Sequence, residues 1–206
     1  MFNGSEIFEK HYTGYLEQIG RVNPSPLKER LGIETDGNII CLQLLNEKYR
    51  ISERGMENQS GTRPNYGLCV ILAKYILLCP DREHHNPEWV SFRDFKKSSH
   101  FTNVNFFASD TEQAILKHFQ GRPDALARAT EKLGGRAPET RMPYDLSVAF
   151  QLLPKISMLL LFNDRDDEFD AQCTVLFQKH AEFYLDPESL AMTGSVLAHR
   201  LKKADR

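Results

Sequence analysis

Apolar positions along the chain change period several times, and each change marks an element. Phe8, Tyr12, Leu16 and Ile19 recur three or four apart after Ser5, which predicts an amphipathic helix that weakens at Gly20. "NPSPLKERLG" reads as a short second helix, with proline at its start and Gly32 at its stop. "NIICLQLL" (38–45) and the alternating "KYRIS" (48–52) then read as a hairpin around Asn46-Glu47. The polar segment 53–63 is expected to be a mobile loop. Residues 64–79 are apolar nearly all round, as a helix in the middle of a core would be. "CPDREHHNPE" (79–88) is a second loop, and "WVSFRDF" (89–95) is expected to be extended.

The C-terminal half continues in the same way. "SDTE" (109–112) has the form of a capping box opening a helix that runs through Phe119. "GRPDALARATEKLGG" is a self-contained helix stopped by its glycine pair. In "DLSVAFQL" (145–152) apolar residues alternate with small or polar ones, Pro154-Lys155 turns the chain, and "ISMLLLF" (156–162) returns as a more buried strand. "QCTVLF" (172–177) is a further short strand. Asp186 and Pro187 open a terminal helix whose Leu190, Leu197 and Leu201 share a face. Strands joined by tight turns and helices in separate blocks predict an α+β fold. It should be a mainly antiparallel sheet of hairpins packed with several helices, with helices at both ends. The expected organisation is one domain over 1–206: an N-terminal helical segment (1–32) and an α+β core (36–201).

Composition narrows the functional classes. With 206 residues and a formal net charge of −2, the chain can bury its own core and has no electrostatic reason to bind nucleic acid or an anionic membrane. The N-terminus has no apolar stretch of signal-peptide type, and the longest apolar run is broken by Lys74, so a cytoplasmic location is expected. Cys41, Cys69, Cys79 and Cys173 form no C-x-x-C pair and read as buried free thiols. No glycine-rich phosphate loop follows a strand, and no local motif marks Ser91, Cys173 or His180 as catalytic. His84 and His85 with Glu88 read as solvated loop residues or as metal ligands, and His118, His180 and His199 as helix-surface histidines.

The stretch with candidate chemistry is "FNDRDDEFDAQ" (162–172), which puts five acids in seven positions. A hairpin closed at Pro154-Lys155 sets Asp145 opposite Asp164, where like charges repel by about 0.2–1 kcal/mol on an exposed surface. Water, an arginine or a cation is expected to offset this. Three readings stay open: a solvated turn, an arginine–carboxylate cluster, or a site for a hard cation. The run departs from the calcium-loop pattern, with no glycine at the sixth position and no glutamate at the twelfth. Phe169 inside the acidic turn is expected to anchor the loop to the core.

"SFRDF", "LLPKISMLLLF", the "DRDDEF" turn and "VLF", taken together, resemble the uncharacterised family catalogued as domain of unknown function 3786, over about residues 36–201. The resemblance implies a soluble cytoplasmic protein of anaerobic bacteria or archaea and brings no assigned activity. Some members of that family carry an added four-cysteine iron–sulfur domain. This chain lacks such an array, so no iron–sulfur cluster is expected. It also has Asp170 where the family pattern tends to have proline, and Gln178 where it has an acid. Three functions follow as expectations. The first is an accessory protein of one-carbon, corrinoid or redox metabolism that binds an unknown small molecule where "SFRDF" meets the acidic hairpin end, through Arg93, Asp94, Phe95 and Asp145. The second is a hydrolase that holds a divalent metal with Asp164, Asp166, Asp167 and Glu168. The third is a protein-interaction module with no small-molecule site.

Overall fold

The computed structural model describes residues 4–95, 104–139 and 142–206. Helix α1 (Gly4–Gly20) and the short α2 (Leu27–Leu31) precede a four-stranded meander. Its strands are β1 (Glu34–Asp36), β2 (Ile39–Leu44), β3 (Glu47–Ser52) and β4 (Gly55–Asn58), paired antiparallel in chain order. The segment expected to be a mobile loop therefore contains a strand. Met56 pairs with Ile51 and is buried, while Glu53-Arg54 makes the tight turn. Helix α3 (Tyr66–Leu77) follows, opened by Asn65, whose side chain accepts the Leu68 N–H at 3.0 Å. Seven of its twelve residues are buried, in keeping with its all-round apolar sequence.

The second sheet has the order β5-β8-β7-β6 and is also antiparallel. Its strands are β5 (Trp89–Ser91), β6 (Leu146–Leu153), β7 (Ile156–Asn163) and β8 (Gln172–Gln178). "WVSFRDF" is thus extended only as far as Ser91, and a 3-10 turn over Phe92–Asp94 ends it. The β6–β7 hairpin turns at Pro154-Lys155 as expected, with a bulge between Gln151 and Leu153. That bulge shifts the register by one, so Leu146 faces Phe162 and the open end of the hairpin sets Asp145 level with Asn163.

"SDTE" does not open a helix. It lies within a longer helical run, as a π-helical segment (Ala108–Gln113) between α4 (Val104–Phe107) and α5 (Ala114–Phe119). Glu112 lies in the interior of that run, where it caps no helix start. Its Oε1 accepts the Val175 N–H at 2.9 Å, just past the point where β5 stops covering the β8 edge. Helix α6 (Pro123–Lys132) ends as expected, with Gly134 at φ +77° and the paired bonds Gly134 N–H to Glu131 O and Gly135 N–H to Thr130 O. Helix α7 (Pro187–Ala204) closes the chain, capped by Asp186, which accepts the Ser189 N–H at 2.8 Å.

One buried cluster runs through both sheets and the helices, from Tyr12 and Ile19 of α1 to Leu201 of α7. The two sheets meet where the β2–β3 turn touches β6: the Leu45 N–H donates to Leu152 O at 2.8 Å. Among the described residues no helix is long and apolar enough to cross a membrane.

Candidate functional site

The acidic stretch forms the β7–β8 connection, and its charges are met by backbone N–H groups. Asp145 accepts the Asp164 N–H at 2.8 Å. Asp164 accepts from Gly121 at 2.7 Å and from Arg165 at 2.9 Å. Asp166 accepts from both Glu168 and Phe169, and those two donors hold its carboxyl below the usual aspartate range. The repulsion expected from the sequence is therefore relieved locally, by donors that no charge count reveals. Asp167, Glu168 and Asp170 point into solvent. Among the described residues no three His, Cys, Asp or Glu side chains are grouped so as to hold a metal ion. Phe169 is 66% exposed, so it does not anchor the loop. Gln178 pairs with Trp89 at the other end of β8 and takes no part in this end of the sheet.

The "SFRDF" residues go three separate ways. Asp94 turns back on its own segment, accepting from the Ser91 N–H at 2.9 Å and the Ser91 hydroxyl at 2.7 Å, and its pKa is lowered chiefly by that hydroxyl. Phe95 is 2% exposed and packs with Phe92 and Phe177, so it belongs to the core and not to a ligand surface. Arg93 is exposed. Burial raises the pKa of the half-buried Glu112 carboxyl, which the Val175 N–H and then the Arg93 charge draw partly back. Ser91, Cys173 and His180 are not gathered into a triad: Ser91 is engaged by Asp94, and Cys173 lies seven residues along from His180.

His180 is buried, contrary to its expected place on a helix surface. Its Nδ1 lies 2.7 Å from Asn86 O and its Nε2 lies 3.1 Å from Lys155 O. The "EHHNPE" loop is thereby tied to the β6–β7 turn. His84 is not a free solvated ring, because it stacks on Phe183 at 3.9 Å between centroids. His118 bonds Asp205 at 2.9 Å. Of the four free cysteines only Cys69 is buried; Cys41, Cys79 and Cys173 are partly exposed.

A concavity that joins both sheets lies at the other end of the β6–β7 hairpin, roughly 23 Å from Asp145 at the usual rise per strand residue. It is a cleft of about 280 Å³ between the two sheets. Glu34, Cys41, Gln43 and Lys48 come from the outward face of the first sheet, Gln151 and Leu153 from β6, and Gly32 and Pro154 from the two flanking turns. Leu45 forms its floor. It is buried and held at φ +54°, a conformation leucine rarely adopts. Three contacts impose that conformation. They are the Leu45 N–H on Leu152 O, the Gln43 Nε2 on Leu45 O at 2.8 Å, and the packed side chain itself. Gln151 holds the far wall, its Nε2 donating to Leu153 O at 2.7 Å. The Oε1 atoms of Gln43 and Gln151 bond to none of the described residues, leaving two acceptors on the cleft wall beside the Lys48 ammonium and the Glu34 carboxylate. Sequence reasoning missed this cleft because its walls come from segments more than a hundred residues apart. The turn falls one residue earlier than expected, at Leu45-Asn46 rather than Asn46-Glu47, and the one local sign was that it holds no glycine or second asparagine.

A family model described as "Domain of unknown function (DUF3786)" matches residues 23–200. The chain belongs to that family. The match extends the resemblance toward the N-terminus, taking in α2 and its turn at Gly32, which lines the cleft. No curated protein and no solved structure matches the chain.

Proposed function

We propose that this DUF3786 protein is a small-ligand-binding protein whose ligand sits in the cleft between the two sheets. The observation that carries the reading is the strained Leu45 turn at the floor of a preformed cavity. A buried leucine held at positive φ costs on the order of 1–3 kcal/mol, and the surrounding bonds keep that turn in one geometry. The cavity is at the small end of the range for ligand pockets, about 300–1,000 Å³. A compact metabolite fits it; a corrin macrocycle does not. The ligand would meet amide oxygens at Gln43 and Gln151, a cation at Lys48 and an anion at Glu34, so it carries hydrogen-bond donors and at least one charged group. An accessory role in one-carbon, corrinoid or redox metabolism of an anaerobe is part of this proposal, and it makes small charged metabolites of those routes the first candidates to test.

The test is a nitrogen-15 NMR screen of such metabolites at millimolar concentration. Saturable shifts are expected in the side-chain amides of Gln43 and Gln151 and in the backbone signals of Gly32, Cys41 and Leu45. Binders that move signals only elsewhere, or a panel that moves none of these, overturn the reading.

A further inference from the structure

A second concavity, of about 560 Å³, lies at the β4 edge of the first sheet, and three arginines from different parts of the chain line it. Arg50 comes from the outward face of β3. Arg54 occupies the β3–β4 turn, which Ser52 fixes by accepting the Arg54 N–H at 3.2 Å. Arg63 is brought back alongside β4 by a tight turn in which the Asn58 side chain accepts from Ser60 and Thr62, both at 3.0 Å. Its guanidinium lies 3.6 Å from the centroid of Tyr12, the residue whose hydroxyl closes the β4 edge by accepting the Met56 N–H at 2.9 Å.

The charges around this hollow are unequal. Arg63 is paired with Glu9 at 3.1 Å and Arg50 sits 3.7 Å from Glu57. The Arg54 guanidinium forms no ion pair with any described residue. Glu57 is the one acid in the lining against three arginines, on a chain whose formal net charge is −2. Guanidinium groups present planar pairs of donors that match the oxygens of phosphate and carboxylate. We propose that this hollow is a binding site for the oxyanion group of a small molecule, a phosphate or a carboxylate, with Arg54 as its principal contact, Arg50 and Arg63 flanking it and the Tyr12 ring as a wall. Arg50 pairs in register with Cys41 of the cleft, so the two concavities are neighbours on one sheet face.

The experiment is an NMR titration of the full chain with inorganic phosphate and, separately, with acetate, at ionic strength held constant with sodium chloride. Saturable shifts at Arg54, Gly55 and Gly61 with either anion are expected, with affinity reduced about tenfold or more in Arg54→Gln. Among the described residues Arg54 bonds only through its backbone, so the variant should keep the parent's melting temperature, and a parent-like spectrum confirms that it is folded. Shifts that stay linear and match those caused by chloride overturn the proposal, as does unchanged affinity in Arg54→Gln. Saturable shifts confined to Gly32, Cys41 and Lys48 also overturn it; they assign the anion to the inter-sheet cleft and leave the ligand-binding reading of that cleft intact.

Discussion

Gly194, in the middle of α7, lies directly against Thr111 of the π segment. A Cβ built at position 194 would run into Thr111 Oγ1 and the Phe107 ring. Glycine costs a helix interior about 1 kcal/mol relative to alanine, so propensity alone would favour Gly194→Ala. Close packing decides otherwise. Gly194→Ala should destabilise the protein by about 1–3 kcal/mol, measured by urea denaturation. The Thr111 hydroxyl is fully buried and has no partner among the described residues. Thr111→Val should therefore hold or raise stability.

Tyr75 joins three elements through one oxygen. Its hydroxyl donates to Leu31 O at 2.8 Å and accepts the Lys155 N–H at 3.0 Å, and burial raises its pKa. Tyr75→Phe keeps the ring and orphans two backbone groups. The expected loss is about 2–4 kcal/mol, read from chemical unfolding.

Arg200 links α7 to the first sheet. It donates to Glu47 at 2.7 Å and to the Tyr49 hydroxyl at 2.6 Å, and that hydroxyl in turn donates to Glu47 at 2.6 Å. Burial and then the bond to Glu47 raise the Tyr49 pKa. Arg200→Met leaves the Glu47 charge uncompensated. Because Glu47 is 35% exposed, the cost should be about 2 kcal/mol, below the usual loss for a fully buried pair. Arg200→Lys should recover only part of it, since one ammonium cannot repeat the fork.

The N-cap of α7 should give the protein an acid-sensitive step. Burial alone would raise the Asp186 pKa, but the Ser189 N–H and the Lys74 ammonium at 3.2 Å outweigh it and lower it from 3.8. A carboxyl depressed in the folded state stabilises fully above its unfolded pKa and loses that contribution as pH falls through the folded value. Asp186→Ala should cost about 1 kcal/mol at pH 7. The difference from the parent should shrink below pH 4, followed by urea midpoints across pH 2–6.

The acidic connection gives a prediction about metals. Asp164 and Asp166 already accept two N–H bonds each, so Mg²⁺, Ca²⁺, Mn²⁺ and Zn²⁺ should leave the melting temperature of the metal-stripped protein unchanged. Asp166→Asn, whose amide oxygen can accept the same two bonds, should remain folded. A metal-specific rise lost in Asp166→Asn would restore the hydrolase reading. By carbon-13 NMR the Asp166 carboxyl should titrate below ordinary aspartates.

What the sequence revealed was local. The alternation in 145–152 and the Pro154-Lys155 turn were enough to identify the β6–β7 hairpin, and Asp186-Pro187 marked the start of α7. The split into two sheets was not visible, because the pairing of Ser91 with Leu176 joins residues 85 positions apart. The π segment looked like a helix start because its Glu112 has capping spacing, while its actual partner, Val175, lies on another element. The acidic stretch drew attention by charge, yet its local bonds absorb that charge. Arg93, Asp94 and Phe95 are contiguous in sequence, but a 3-10 turn sends their side chains to solvent, to Ser91 and to the core.

The meeting of Leu45 with Leu152 has a consequence for the order of folding. Strands β1–β4 pair only with chain neighbours and span residues 34–58, and β6–β8 form a similar local meander, so both close short loops, whereas the Leu45 contact with Leu152 must bring the two sheets together across the intervening chain. We expect pulse-labelled hydrogen exchange to protect the Ile51 amide before that of Leu45, which waits for Leu152 to arrive. Protection of both at the same rate would refute this. Competence to bind in the cleft would then be the last property the chain acquires, and ligand occupancy would report that folding is complete.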